Sequence, residues 1–152
     1  MEVSLSPEKH AELMRHIVDS FVPQFAPGGE LVYIGDTVGN LGFFDKDLLA
    51  NLGVVPYNQD KLPDVVIYLR DKAWLMLIDA VTGHGPVDSK RQSELARLFE
   101  ASGAGLVYIS AFPDRDSLST QGEPIAWETN VWIADAPTHM IHFNGSRFLG
   151  PY

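Results

Sequence analysis

Two aspartates, Asp64 and Asp79, are spaced so that a β-hairpin between them brings their side chains together. The intervening residues form two apolar segments separated by a short charged segment. If Asp71 and Lys72 form a two-residue turn, the residue numbers of each cross-strand pair add up to 143. Asp64 then lies opposite Asp79. Opposed residues have Cβ atoms about 4.5–5.5 Å apart, and two carboxylates at that distance repel each other unless a cation lies between them. Carboxylate oxygens suit Mg²⁺, so the spacing predicts a metal site of the kind used in phosphodiester hydrolysis.

The residues of the turn leave the register of this hairpin open. A three-residue loop would shift the pairing by one and place the two carboxylates on opposite faces of the sheet. Asp71 and Lys72 also lack the glycine of the Asn-Gly and Asp-Gly turns that favour two-residue loops. Pro63 and Asp64 form an ordinary turn signal before a strand, which is the structural alternative to a metal ligand.

Length and composition are those of one globular domain. The 152 residues suffice for a core, and 45% of them are hydrophobic. The absence of cysteine excludes disulfides and thiolate metal sites, and neither a Gly-x-Ser-x-Gly elbow nor a phosphate-binding P-loop occurs. No apolar run reaches the length of a membrane helix, and the first residues do not resemble a signal peptide. We therefore expect a cytoplasmic protein.

The net charge of −9, with only 11 lysines and arginines, is unfavourable for a nucleic-acid partner. DNA binding normally relies on Lys and Arg contacts with phosphate. Acidic nucleases meet this requirement by concentrating their basic residues on one face, because their metal ligands are themselves acidic. The charge therefore argues against tight, unaided DNA binding without excluding a nuclease.

Periodicity and turn signals predict a mixed order of helices and strands. The predicted elements are a helix with an apolar stripe over 13–21 that Pro23, Pro27, Gly28 and Gly29 break, a strand at 31–34, a helix at 45–52, hairpin strands at 64–69 and 74–80, a helix at 89–101 capped by Asp88, and strands at 105–110, 129–133 and 140–143. The second hairpin strand is apolar on both faces, which places it centrally in a covered sheet. A strand, a helix of about a dozen residues and a second strand form a crossover with parallel strands. The predicted fold is an α/β sandwich with a mixed central sheet flanked by helices.

This order, with one acid at the start of a strand and another near the end of its partner, resembles the PD-(D/E)xK nuclease core. Several segments are similar, more narrowly, to the BsuBI/PstI family of type II restriction endonucleases. They are YIGDT at 33–37, KLPDVVIY at 61–68, DAVTGHGP at 79–86 followed by Lys90 and Arg91, GLVYISAFP at 105–113, IAWETNVWIA at 125–134 and HFNGSRFLGP at 142–151. The similarity covers the catalytic C-terminal domain of those enzymes. We therefore expect a single nuclease-like domain over 1–152, with a helix and loop at 1–30 and a catalytic core at 31–151.

The resemblance implies a Mg²⁺-dependent endonuclease that cleaves double-stranded DNA as a homodimer, with Mn²⁺ able to replace Mg²⁺. Asp64 and Asp79 would bind the metal. The family pattern has Glu in place of Asp79 and Ser in place of Gly83, and the lysine usual two residues after the second acid is replaced here by Val81. These departures leave open whether the chain is active.

Other polar residues are candidates for the remaining functions of such a site. Lys90 is predicted to replace the missing lysine, because it lies in the first turn of the next helix, where helix-end amides favour phosphate; a solvent-facing lysine is the alternative. His84 is a candidate to accept a proton, bind a phosphate or orient a water, and a structural loop histidine is its alternative. Arg91, Asn144 and Arg147 are candidates for DNA contacts, although Asn144 also fits a hairpin turn.

Five further residues have a simpler structural interpretation. Asp36 fits a turn after a strand, and Glu128 fits either a site or a solvated strand end. Trp74, Trp127 and Trp132 are expected in the core rather than against DNA bases.

The sequence leaves three functions open. The first is an active restriction-type endonuclease, which the two acids, Lys90 and the loop containing His84 favour. The second is a DNA-binding or regulatory relative without activity, which the charge and the Asp at position 79 favour. The third is a nuclease of the same fold that needs a partner protein to hold DNA.

Overall fold

The computed structural model of the protein describes residues 7–35, 42–54, 62–82, 85–122, 124–143 and 145–146. The helices in these ranges are α1 (Pro7–His16), α2 (Val22–Phe25), α3 (Lys46–Asn51), α4 (Ser89–Phe99) and α5 (Arg115–Ser119). The strands are β1 (Glu30–Ile34), β2 (Phe43–Phe44), β3 (Val65–Leu69), β4 (Trp74–Ala80), β5 (Gly105–Phe112), β6 (Thr129–Ile133) and β7 (Ile141–Phe143). A π-helical turn, Ile17–Phe21, joins α1 to α2, and a 3₁₀ turn, Glu100–Ser102, extends α4.

The described strands form one seven-stranded mixed sheet in the order β2-β1-β3-β4-β5-β6-β7. Strands β4, β5 and β6 are parallel neighbours, whereas the other adjacent pairs are antiparallel. The chain runs from β4 through α4 to β5, so the predicted parallel crossover is confirmed. The predicted α/β architecture is confirmed as well. Among the described residues, no helix has the length and apolar character needed to cross a membrane.

Helices cover the sheet on both faces, and strand β4 contributes to both apolar layers. The helical residues of these layers are Leu13, Met14, Ile17 and Phe21 on one face and Leu49, Leu95 and Phe99 on the other. Successive side chains of a strand alternate between faces. Met76 and Ile78 therefore pack beside α1, while Leu75 and Leu77 pack beside α3 and α4. The central, covered position predicted for this strand is confirmed.

The N-terminal helical segment ends at Phe25, within the run of Pro23, Pro27, Gly28 and Gly29 that was predicted to break it. Pro23 lies inside the segment, in the first turn of α2, which is the part of a helix that tolerates proline. The π-helical turn before it is closed by the Val22 N–H, which donates to the carbonyl oxygen of Ile17. Phe21, at the end of that turn, meets Trp132 edge-on with ring centroids 5.6 Å apart. This contact attaches the N-terminal segment to strand β6.

The expectation that all three tryptophans lie in the core is correct for Trp132 and wrong for the other two. Trp74 is 39% exposed and Trp127 is 72% exposed. Trp74 lies where the β3–β4 turn ends, with the Lys72 ammonium 4.8 Å from its ring centroid. Trp127 lies in the turn before β6, and its ring centroid is 6.4 Å from that of Phe143. Both lie at strand ends, where the helical layers do not cover the sheet.

Two short elements, β2 and α5, were not predicted, because two and five residues are too few to show a periodic pattern. The helix predicted at 89–101 is confirmed, including its first residue. Its cap is the Asp88 carboxylate, which accepts a hydrogen bond from the Arg91 backbone N–H at 2.8 Å. The cap fixes the start of α4 and therefore the position of Arg91.

We expect Asp88→Ala to lower the free energy of unfolding by about 1 kcal/mol, because it leaves the Arg91 backbone N–H without its acceptor. The measurement is the urea midpoint followed by circular dichroism. Asp88→Asn is the matched control, since asparagine caps helices as well as aspartate does. Equal losses in the two variants would contradict a capping role for this side chain.

Candidate active site

The β3–β4 hairpin brings Asp64 and Asp79 to the same end of the sheet. Val65 pairs with Ile78, and the residue numbers of every observed pair in the hairpin add up to 143, as predicted. Asp64 is the residue before Val65 and Asp79 is the residue after Ile78. The hairpin register expected for a two-residue turn is therefore confirmed.

Both carboxylate oxygens of Asp64 face a partner. Oδ2 accepts a hydrogen bond from the Ala80 backbone N–H at 2.7 Å, and Oδ1 lies 3.7 Å from Nε2 of His10. The carbonyl oxygen of Asp64 accepts a hydrogen bond from the Gly35 N–H at 2.8 Å. Asp64 is thus fixed against the ends of both neighbouring strands, β1 and β4.

Asp79 forms a two-point ion pair with Arg91 of α4. Nε of Arg91 donates to Oδ2 at 2.8 Å and Nη2 donates to Oδ1 at 3.2 Å. Only 13% of the Asp79 side chain and 20% of the Arg91 side chain are exposed. Burial alone lowers the pKa of Arg91, but the hydrogen bonds and charge of Asp79 raise it above its ordinary value. Arg91 is therefore a permanent cation beside the second acid.

The partners of the two acids come from opposite faces of the sheet. His10 belongs to α1 and Arg91 belongs to α4, and these helices cover different faces. Within the described ranges, no group of three or more His, Cys, Asp and Glu side chains is arranged to hold a metal ion. The predicted metal site at Asp64 and Asp79 therefore stays a prediction.

The donor chemistry at this end of the hairpin does fit a hard divalent cation. Mg²⁺ prefers carboxylate oxygens and retains several waters. Oδ2 of Asp64 is hydrogen-bonded to Ala80, which directly follows Asp79 in the chain. Arg91 uses both oxygens of Asp79. A cation bound by Asp79 would therefore either displace Arg91 from one of these oxygens or share that oxygen with it.

The loop after β4 is attached to β5 at two points, and this attachment sets the position of α4. The Val81 N–H donates to the Ala111 carbonyl oxygen at 2.8 Å, and the Val87 N–H donates to Oγ of the fully buried Ser110 at 2.9 Å. The Val81 side chain packs with Phe112 in a small apolar cluster. The position where the superfamily usually has its lysine is thus part of the core here.

Of the two predicted cations on α4, Arg91 pairs with Asp79, whereas Lys90 has no ion pair with an acid among the described residues. Lys90 lies in the first turn of α4 with an exposed side chain, and no hydrogen bond or ion pair described in the structure joins it to Asp64 or Asp79. His84, Asn144, Arg147 and Asp36 lie outside the described residues, so their predicted roles stay predictions. Glu128 is exposed, and its backbone N–H donates to the Phe143 carbonyl oxygen.

Two residues near Asp64, His10 and Thr82, were not among the site residues predicted from the sequence. Nδ1 of His10 lies 2.6 Å from Oγ1 of Thr82, although 72 residues separate them. The residues around a single histidine in a helix do not indicate that it contacts a residue so far away in the sequence. Only the packing of α1 against the sheet brings it to the site.

We expect His10 to titrate above the ordinary histidine pKa of about 6.5. Interaction with the Asp64 carboxylate raises the pKa of His10, and this outweighs the lowering by partial burial. The measurement is an NMR titration of the ring protons in a buffer that contains a chelator. Asp64→Asn should lower the measured pKa, and a pKa that does not respond would show that the two side chains do not interact in solution.

Comparison with known proteins decides the family. The BsuBI/PstI restriction endonuclease domain matches residues 1–146 of the chain. The chain belongs to the BsuBI/PstI restriction endonuclease family. It is 54% identical over 151 residues to the type II restriction enzyme BsuBI of Bacillus subtilis, an alignment that covers 99% of this chain and 48% of that enzyme. It is 33% identical over 155 residues to the type II restriction enzyme AplI of Arthrospira platensis, covering 97% of this chain and 47% of that enzyme.

A solved structure of a similar protein has the same fold. The structure of SdaI restriction endonuclease superposes with a TM-score of 0.84 at 38% sequence identity, and the match covers 100% of this chain and 50% of that one. The predicted restriction-endonuclease-like fold is confirmed by this match. The chain thus spans about half the length of the relatives that it matches.

Proposed function

We propose that the protein is a Mg²⁺-dependent, site-specific endonuclease that hydrolyses phosphodiester bonds of double-stranded DNA. The observation that carries the proposal is the position of Asp64 and Asp79 at the same end of the β3–β4 hairpin, in a chain of the BsuBI/PstI family. Two carboxylates and an arginine at one sheet end provide both a cation site and a phosphate contact.

Asp64 and Asp79 are the residues that would hold Mg²⁺, or Mn²⁺ in its place. When bound, such an ion supplies a Lewis acid and lowers the pKa of a coordinated water. Asp64 is already fixed by the Ala80 N–H, so its carboxylate needs little reorganisation to act as a ligand. Asp79 is one methylene shorter than the glutamate in the family pattern, and its carboxylate would be the second ligand.

Arg91 is the cation that we assign to the role of the lysine missing at position 81. Because its guanidinium stays protonated, it cannot take a proton from water. Its fork of donors does match a phosphate as well as a carboxylate. On DNA binding, the scissile phosphate would compete with Asp79 for these donors, which frees carboxylate oxygens for the ion. Exposed Lys90, at the N-terminus of α4, would contact a neighbouring phosphate.

We further propose a cytoplasmic homodimer, in which two copies of the site cut the two strands of one duplex. His84, Asn144 and Arg147 keep their proposed roles, His84 in the chemistry and the other two in DNA contacts. Light scattering of the purified chain tests the dimer directly, and a monomeric mass with and without DNA contradicts it.

The test of the proposed activity is cleavage of supercoiled plasmid and of linear phage DNA with Mg²⁺, Mn²⁺ or chelator. Discrete fragments formed only with a divalent metal would support a site-specific endonuclease, and sequencing their ends would give the target. Smeared products would mean unspecific hydrolysis. Intact DNA at high protein concentration with both metals would contradict the proposal for this chain.

A second candidate is a module of the same fold that needs a partner protein to hold DNA. The observation that favours it is the net charge of −9 with 11 basic residues, which weakens phosphate binding by the chain alone. Cleavage that appears only at low ionic strength or only after addition of cell extract would favour this candidate.

A further inference from the structure

The imidazole of His10 is attached to the same strand end that carries the two acids. Its Nδ1 lies 2.6 Å from Oγ1 of Thr82, and its Nε2 lies 3.7 Å from Oδ1 of Asp64. Thr82 is the third residue after Asp79. The ring therefore connects helix α1, the loop after β4 and the first acid.

This arrangement defines the orientation of the ring. A short contact at Nδ1 leaves Nε2 facing the carboxylate, and Nε2 carries a proton toward Asp64 when the Thr82 hydroxyl donates to Nδ1 or when the ring is protonated. The helix that carries His10 is fixed by its fully buried neighbours Leu13 and Met14, which pack against the sheet. The side chain of His10 is 21% exposed and that of Asp64 is 29% exposed, so both groups are partly shielded from solvent.

The remaining oxygen of Asp64 is bound by the Ala80 N–H at 2.7 Å. One oxygen is thus oriented by backbone of β4 and the other by a side chain from α1. A carboxylate oriented from both sides has few rotamers left, which lowers the entropy lost when it binds an ion. Substitution of a group that orients a metal ligand in this way typically lowers metal affinity or activity by about 10–100-fold.

We propose that His10, held by Thr82, is a positioning residue for Asp64. It acts through the carboxylate and not on the phosphate, and it makes the N-terminal helix part of the active site. The proposal rests on the proposed function, in which Asp64 binds a divalent ion.

The test measures Mn²⁺ binding to the full chain by electron paramagnetic resonance and cleavage as a function of Mn²⁺ concentration. We expect His10→Ala and Thr82→Val to weaken Mn²⁺ binding by about 10–100-fold, with a smaller loss of cleavage rate at saturating metal. Thr82→Ser, which restores the hydroxyl, should return the affinity to near the wild-type value. His16→Ala is the matched control, because His16 lies exposed on the same helix.

Thermal melting of each variant separates this role from a loss of folding. A His10→Ala protein that melts like wild type and binds Mn²⁺ with unchanged affinity would overturn the positioning role, even if Asp64→Asn abolishes binding. Wild-type protein that binds no Mn²⁺ would overturn both this inference and the proposed function. Equal weakening by Thr82→Val and Thr82→Ser would overturn the part assigned to the hydroxyl.

Discussion

Asp64→Asn and Asp79→Asn are each expected to slow DNA cleavage by about 10³-fold, equivalent to about 4 kcal/mol of transition-state stabilisation. Asparagine keeps the size of the side chain and one oxygen but removes the negative charge that holds a divalent ion. The measurement is the single-turnover rate of plasmid cleavage at the Mg²⁺ concentration that just saturates the wild-type protein. Raising the metal concentration should restore part of the rate, because the loss lies in ion binding.

Asp71→Asn is the matched control for both variants. Asp71 is an exposed aspartate in the turn at the opposite end of the same hairpin, so its substitution removes the same charge at a distance from the site. We expect its cleavage rate to equal that of wild type. Full activity of Asp64→Asn or Asp79→Asn would show that the hairpin acids are not the catalytic pair.

Arg91→Ala is expected to lower both stability and activity. It leaves the mostly buried Asp79 carboxylate without its two-point partner, and the loss of one member of a buried pair costs about 3 kcal/mol. It also removes the cation proposed to contact the scissile phosphate, which is expected to slow cleavage by about 10²-fold. Chemical denaturation in the presence of a chelator and single-turnover cleavage measure the two effects separately.

Arg91→Lys and Lys90→Ala distinguish the two neighbouring cations. Lysine keeps the charge of Arg91 but loses the planar fork of donors, so we expect an intermediate rate. Lys90→Ala should leave stability unchanged, because the Lys90 side chain is exposed, and should weaken DNA binding more than the rate at saturation. A larger rate loss in Lys90→Ala than in Arg91→Ala would assign the role of the missing lysine to Lys90.

The sequence by itself determined the features that depend on neighbours along the chain. A two-residue turn at 71–72 predicted the hairpin register, and the structure excluded the three-residue alternative, since the Ala73 N–H donates to the Arg70 carbonyl oxygen at 3.2 Å and the pairs sum to 143. Asp88 caps α4 because the cap is satisfied within four residues. The apolar character of β4 on both faces required covering layers on both sides. These local constraints were sufficient to place Asp64 and Asp79 at one strand end.

Only the tertiary structure decided what surrounds each acid. Whether Lys90 or Arg91 turns toward Asp79 depends on the rotation of α4, which Leu95 and Phe99 set by packing on the sheet. His10 approaches Asp64 across 54 positions of sequence because α1 packs on the opposite face. Such contacts arise from the burial of helix faces far apart in the chain. The sequence therefore identified the two acids, while the fold selected the arginine and the histidine beside them.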